Sequence, residues 1–337
     1  MKKKIKYWII IIGIQVLILS GISIFAISVG TTEISFITIL KTFFLKQTQT
    51  SEYNILIGLR VPRVMISIAI GGALSLAGTL LQGMFRNPLV EPYTLGISGG
   101  ASIGVCITVF FKLSSVIGII AYPILGFIGA GIVIIIVYTL SIKSGSLKSN
   151  NMLLIGVMIS FVSSSIVMLI MAMSKTNDLH SIIFWIMGSL DETNTALIKI
   201  TILGSLSGLA VSCFYCLDLN AFVLGEENAD LLGINTIRTK KVLFITASLL
   251  TGLSVSIAGI IMFVGLVVPH FMRLIVGSDH RILIISSFLG GASFLTLCDV
   301  IARTIISPLE LPVGVITGII GGITFIYVLS RKKQVVL

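Results

Sequence analysis

The chain has 337 residues, 56% of them hydrophobic and only 11% charged, with a mean hydropathy of +1.13. A soluble domain carries about a quarter charged residues, so the composition excludes one and indicates a polytopic membrane protein. The net charge of +10 sits at span ends rather than in a basic stripe interleaved with aromatics, which argues against a nucleic-acid partner and for orientation in a bilayer.

At about 20 residues per crossing of ~30 Å of hydrocarbon, the chain has room for about ten transmembrane helices in a single all-α bundle, residues 1–337. Residues Met1 to Lys6 and the apolar run Tyr7 to Val29 start like a signal peptide. The run exceeds the usual length of about 7 to 15 residues, so it reads as a retained first span. Hydrophobic runs and breakers predict spans at 7–29, 61–83, 93–112, 116–142, 152–174, 194–217, 240–259, 260–276, 282–304 and 312–330. The eighth is the weakest of them: it is short, carries Pro269, His270 and Arg273, and has as its alternative a broken or re-entrant piece held inside protein. With the N-terminus inside, fifteen of the 23 Lys and Arg fall on the cytoplasmic side and eight outside, so both termini are expected to be cytoplasmic. The outer segments Thr31 to Asn54, with Phe43 and Phe44, and Lys175 to Asn194, with Trp185, are long enough for interfacial helices.

The densest acidic cluster is Gly225 to Thr236, inside a polar block at about 218–238 that must lie outside the hydrocarbon. Gly225 and Gly233 break it, so two short cytoplasmic helices joined by a turn are expected there, in reach of a soluble partner. Small residues at Ala69, Ala73 and Ala77, at Gly100 and Gly104, and at Gly314, Gly318 and Gly322 have the spacing of close helix packing.

Little enzymatic chemistry is visible. Gly96-Ile97-Ser98-Gly99-Gly100 matches the GxSxG elbow, but it opens a membrane span rather than following a buried strand. The histidines His180, His270 and His280 form no HExxH, and the Cys213–Cys216 CxxC has no second pair, so no metal is expected. There is no GxxxxGK[ST], so ATP, if it powers this chain, is bound by another polypeptide. Asp299 is the one acid deep in a predicted span, and Arg303 one turn later is placed to neutralise it, which disfavours ion-coupled transport. In the fifth span Ser160, Ser164, Met168 and Met171 form a mildly polar face, read either as the wall of a translocation pathway or as helix packing. Arg60, Arg63 and Arg303 stand at outer span ends against the positive-inside bias; they read as a docking rim for an acidic partner or as interfacial anchors.

The runs Leu59-Arg60-Val61-Pro62-Arg63, Arg86-Asn87-Pro88-Leu89 and Leu95-Gly96-Ile97-Ser98-Gly99-Gly100-Ala101 resemble permease subunits of type II ABC importers for iron-siderophores, haem and cobalamin. So do Trp185 to Leu190, Phe263 to His270, Asp279-His280-Arg281 and Glu310-Leu311-Pro312-Val313-Gly314. The resemblance runs from about residue 55 onward; the first 50 residues add little to it. It implies a ten-helix permease in the plasma or inner membrane, acting as a dimer with an identical or related permease. Two ATPase subunits would sit below and a substrate-binding protein above. It implies that Gly225, Glu226, Glu227, Ala229, Leu232 and Gly233 belong to coupling helices seated in the ATPase, and that Arg60, Arg63 and Arg303 receive glutamates of the binding protein. No cofactor would bind this chain, ATP and Mg residing on the ATPase. The expected cargo is an iron complex, a ferric siderophore, with haem or cobalamin as the alternative. Readings of other classes are an ion-coupled secondary transporter and an intramembrane hydrolase built on Ser98.

Overall fold

The computed structural model describes residues 2–30, 51–143, 146–147 and 149–331. In chain order its helices of six or more residues are α1 (Lys2–Ser28), α2 (Val61–Phe85), α3 (Ile97–Phe110), α4 (Ala121–Ser141), α5 (Ser149–Met173), α6 (Thr176–Met187), α7 (Thr195–Phe214), α8 (Cys216–Phe222), α9 (Glu226–Leu231), α10 (Thr236–Ala258), α11 (Val264–Val276), α12 (His280–Thr304) and α13 (Val313–Arg331). Seven are long and apolar enough to cross a membrane, and α3, α11 and α13 are shorter apolar helices; together they account for the ten predicted spans. The remaining α6, α8 and α9 lie in connections. A two-residue antiparallel ladder, Ile142–Lys143 with Ser146–Leu147, is the one sheet among the described residues. The predicted interfacial helix after Lys175 is α6, whereas Phe43 and Phe44 lie outside the described residues.

Helix α2 is the spindle of the bundle, and glycine makes that possible. A Cβ on Gly78 would stand 1.8 Å from the Gly265 carbonyl oxygen of α11, and one on Gly71 would stand 2.3 Å from that of Gly291 in α12. Both are far inside van der Waals contact, so only glycine permits these backbones to touch. The predicted stripe Gly100 and Gly104 does the same for α3 against α4, meeting the Gly129 and Leu125 carbonyls. By contrast α1, α4 and α5 leave most of their apolar surface exposed, as helices facing lipid do.

Two spans are shorter than predicted. The third begins as a 3-10 turn, Pro92–Leu95, and becomes α-helical only at Ile97. The eighth enters as a non-helical stretch after Gly259 (φ +70°) and starts its helix past Phe263, which holds a left-handed φ of +67°. Irregular backbone is tolerated at membrane depth only where protein satisfies it. The two stretches satisfy each other: the Tyr93 hydroxyl donates to the Ile261 carbonyl at 2.9 Å and accepts from its N–H at 3.1 Å. The Phe263 N–H donates to the Glu91 carboxylate at 2.6 Å. The broken-span reading of 260–276 therefore describes the eighth crossing. The structure also corrects the count of deep acids, because Glu91 joins Asp299. Pro92 and Leu74 both flank Gly265, and Leu74 stands eleven residues, about 16 Å, from the inner end of α2. Ser98 lies in the first turn of α3 after a 3-10 turn, not on a strand-to-helix elbow, so the GxSxG resemblance has no structural support.

Candidate functional site

At the outer end, the start of α2 meets the end of α12 around Asp299, which is wholly buried. Arg63 Nε donates to Asp299 Oδ1 at 2.8 Å, and Arg303 Nε pairs with Oδ2 at 3.0 Å. A buried carboxylate is affordable when guanidinium groups of this kind surround it. Arg63 also reaches two acids on the outer loops, Glu310 at 2.7 Å and Asp191 at 2.5 Å. One guanidinium thus gathers three carboxylates from α12 and two loops.

Arg60 and Arg303 do not form the exposed rim that the sequence suggested. They are 5% and 3% exposed and turn inward. Arg60 Nη1 donates to the carbonyls of Ile27 and Ser28 at 2.8 and 2.9 Å, and Arg303 Nη2 to that of Ala26 at 3.1 Å. The last carbonyls of a helix lack intrahelical donors and carry partial negative charge, so two cations there staple the end of α1. All three arginines border an outer cavity of about 290 Å³ together with Asp191, Glu192 and Glu310. The described cavity is charge-balanced rather than a positive patch.

At the opposite end, α8 and α9 form the expected pair of short helices. Gly225 (φ +106°) and Gly233 (φ +84°) take backbone conformations that favour glycine, which sets the turns before and after α9. The hairpin is tied to the base of α10 by its acids: Asp218 accepts from the Thr239 hydroxyl and Asp230 from that of Thr236, both at 2.8 Å, and Glu226 pairs with Lys240. Asn235 caps α10 by accepting from the Arg238 N–H at 2.9 Å. Of the six residues predicted for coupling, Gly225 and Gly233 shape turns, Ala229 is buried and Glu226 is half-buried against Lys240; Glu227 and Leu232 are exposed. Leu231, which sequence reasoning missed, is 85% exposed, more than Leu232 at 63%. An adjacent pair of solvated leucines at the end of a polar helix was the signal for it.

The hairpin is also joined to α12. Asn220 Nδ2 donates to Asp279 Oδ1 at 3.0 Å, and the His280 N–H donates to Asn220 Oδ1 at 2.8 Å. Asp279 further receives Lys4 of α1 at 3.4 Å and the Arg281 guanidinium at 2.7 Å, while Lys4 and Arg281 both lie over the Trp8 ring. The Arg281 hydrogen bonds, helped by Asn220, hold the Asp279 carboxyl well below the usual carboxylate range against the opposing effect of burial.

The face predicted to line a pathway is split. Ser164 and Met168 are exposed, whereas Ser160 and Met171 are half-buried. The Ser160 hydroxyl donates to the Gly156 carbonyl of its own helix at 3.0 Å, and Met171 packs on the cluster of Val105, Val109 and Ile182. Only the first two are presented outward by a single chain.

The sequence profile described as the FecCD transport family matches residues 16–331. The chain belongs to that family. This FecCD permease is 33% identical to the hemin transport system permease protein HmuU of Yersinia pestis over 96% of each chain. It is 36% identical to the cobalamin import system permease protein BtuC of Halobacterium salinarum, over 82% of this chain and 73% of that one. It is 33% identical to the Fe(3+) dicitrate transport system permease protein FecD of Escherichia coli, over 94% and 97%. A solved inward-facing ABC transporter of the metal-chelate type superposes with a TM-score of 0.83 at 25% identity, covering 96% of this chain and 100% of that one. The FecCD permease is accordingly a multi-pass, all-α permease of the type II ABC importer class. Systems of this class hydrolyse ATP on a separate ATPase and often contain a second permease copy.

Proposed function

We propose that this FecCD permease imports a ferric siderophore by alternating access, performing no catalysis itself. A separate ATPase supplies the energy, and a second permease, identical or related, completes the pathway. The observation that carries the reading is the family match along 16–331 in a chain with no nucleotide loop of its own. Relatives named for hemin, Fe(3+) dicitrate and cobalamin support a metal-chelate cargo, with haem and cobalamin as the competing substrates. The ion-coupled reading loses ground at Asp299, which is paired with both Arg63 and Arg303, while Glu91, the other deep acid, accepts from the Phe263 N–H.

In this reading both termini face the cytoplasm of the cell membrane, as the distribution of Lys and Arg favours. The α8–α9 hairpin docks in the ATPase through Glu227, Leu231 and Leu232. Gly225, Gly233, Ala229 and Glu226 hold its shape. An acidic substrate-binding protein docks outside at Arg63; Arg60 and Arg303 act behind it by fixing α1. Because Arg63 already holds Asp191 and Glu310, docking exchanges internal acids for those of the partner. Ser164 and Met168 line the pathway between the two permeases.

The deciding experiment is uptake into proteoliposomes that hold the chain, its ATPase and its binding protein, with ferric siderophore, haem and cobalamin compared. Saturable siderophore uptake that vanishes without ATP is the expected result. Uptake that ignores ATP and follows an imposed proton gradient would overturn the importer reading.

A further inference from the structure

A groove runs along the bilayer-facing side of the bundle between α4 and α7, with α10 as its floor. Its inner half, about 310 Å³, is lined by Phe127 of α4, by Gly204, Ser207 and Val211 of α7, and by Leu249 and Leu253 of α10. Glycine creates the notch: at Gly204 and Gly208 the wall of α7 is bare backbone, against which Leu253 and Leu250 close. From Ile200 to Val211 the lining spans eleven residues, about 16 Å of helix. That is close to one leaflet, half of the ~30 Å of hydrocarbon, and so to the reach of one acyl chain.

What distinguishes this groove from ordinary lipid-facing surface is the charge at its inner mouth. Arg238, Ile245 and Leu249 stand at i, i+7 and i+11 and are all exposed, so they form one stripe of α10. Following that stripe inward from Leu249 leads to Arg238. Beside it, Lys241 is exposed and sits over the Tyr138 ring of α4 at 5.7 Å. Among the described residues no carboxylate pairs with either cation, whereas the neighbouring Lys240 is taken by Glu226. An apolar slot one leaflet long, ending at two cations at headgroup depth, has the charge pattern of a lipid with an anionic head.

From this we infer that the α4–α7 groove binds an anionic phospholipid, one acyl chain lying along Ser207 and Leu249 and the phosphate held by Lys241 and Arg238. Because α10 follows directly on the α8–α9 hairpin, the lipid fixes the base on which that hairpin stands. The inference requires α10 to span the bilayer but does not depend on any transported substrate.

Native mass spectrometry tests it, on purified chain exposed to equimolar phosphatidylglycerol and phosphatidylcholine with identical acyl chains. Preferential retention of phosphatidylglycerol is expected. Replacing Lys241→Gln and Arg238→Gln should reduce that preference about fivefold for each charge removed, the ratio set by ~1 kcal/mol per basic residue near an anionic surface. Ser207→Trp, at an exposed position, should plug the slot and abolish retention with the thermal unfolding temperature unchanged. Equal retention of both lipids by the unaltered chain would overturn the proposal. So would phosphatidylglycerol retention that survives the paired glutamine variant, or a second copy of the chain found on this face in place of lipid.

Discussion

Arg63 and Asp299, 236 residues apart in sequence, meet at 2.8 Å where α2 and α12 reach the outer face. The pair costs desolvation, and its partners Arg303, Glu310 and Asp191 offset that cost. Removing the central acid alone leaves the buried Arg303 guanidinium without its carboxylate and facing the half-buried Arg63. Asp299→Ala should therefore destabilise the permease by about 3 to 5 kcal/mol, the scale for breaking a buried pair. The apolar double replacement Arg63→Met with Asp299→Leu should recover part of the loss. Thermal unfolding in detergent measures both, and a fully stable Asp299→Ala would show that the pair holds nothing together.

The outer acids set the second prediction. If Asp191 and Glu310 compete with an acidic binding protein for Arg63, then Asp191→Asn with Glu310→Gln should strengthen docking, and Arg63→Glu should weaken it. The differences should shrink as salt rises, since exposed charges are screened over ~10 Å at 0.1 M. Surface-immobilised permease titrated with binding protein at two ionic strengths gives the answer; weaker docking of the double variant would place the partner elsewhere.

How much of this was legible from sequence depends on range. The seven long spans and the three shorter apolar helices followed from hydrophobic runs, because each span must satisfy its own solvent regardless of its neighbours. The α8–α9 hairpin was legible for the same reason, its polarity and its glycines being local. The orientation of Arg60 and Arg303 was not legible: near a span end an arginine finds water or a helix terminus equally well, and only the fold brings the last turn of α1 within their reach. Glu91 was missed because hydropathy places it in a connection. The depth of that connection follows from its contact with the Phe263 region, 172 residues away. The split of Ser160 and Met171 from Ser164 and Met168 likewise needed the neighbouring helix α3.

The hairpin prediction follows from the exposed leucines. Leu231→Asp with Leu232→Asp should abolish co-purification of the ATPase while leaving the chain monodisperse, because neither side chain is buried. Glu227→Lys should weaken association more mildly. Glu226→Lys is a poorer probe, since it sets a cation against the nearly buried Lys240 and would disturb the fold itself. Association undiminished by the double aspartate variant would remove α9 from the interface.

Asp279 predicts a pH dependence. Its carboxyl titrates below its unfolded value because of Arg281, so the ionised form stabilises the fold. The contribution is complete above the unfolded pKa, about 3.9, and is lost as pH falls from there toward the lower folded value. Asp279→Asn should thus lower stability at neutral pH and flatten the decline in stability below about pH 4. Unfolding followed from pH 7 to pH 3 checks it. Parallel curves for the two proteins would mean that Lys4, Asn220 and Arg281 draw no stability from that charge.

The pathway prediction separates function from folding most cleanly. Ser164 and Met168 are exposed, so Ser164→Trp and Met168→Trp should change stability by no more than about 0.5 kcal/mol, as surface replacements do. If these side chains line the route between two permeases, each tryptophan should reduce substrate uptake strongly while the ATPase still binds. Equivalent changes at the exposed Val162 and Leu169, on the other side of the helix, supply the comparison. Uptake lost at Ser164 and Met168 but kept at Val162 and Leu169 would assign the face. Uptake retained at all four positions would leave α5 as a lipid-facing helix and move the pathway to the elements around Glu91 and Phe263, where two non-helical stretches already meet at depth.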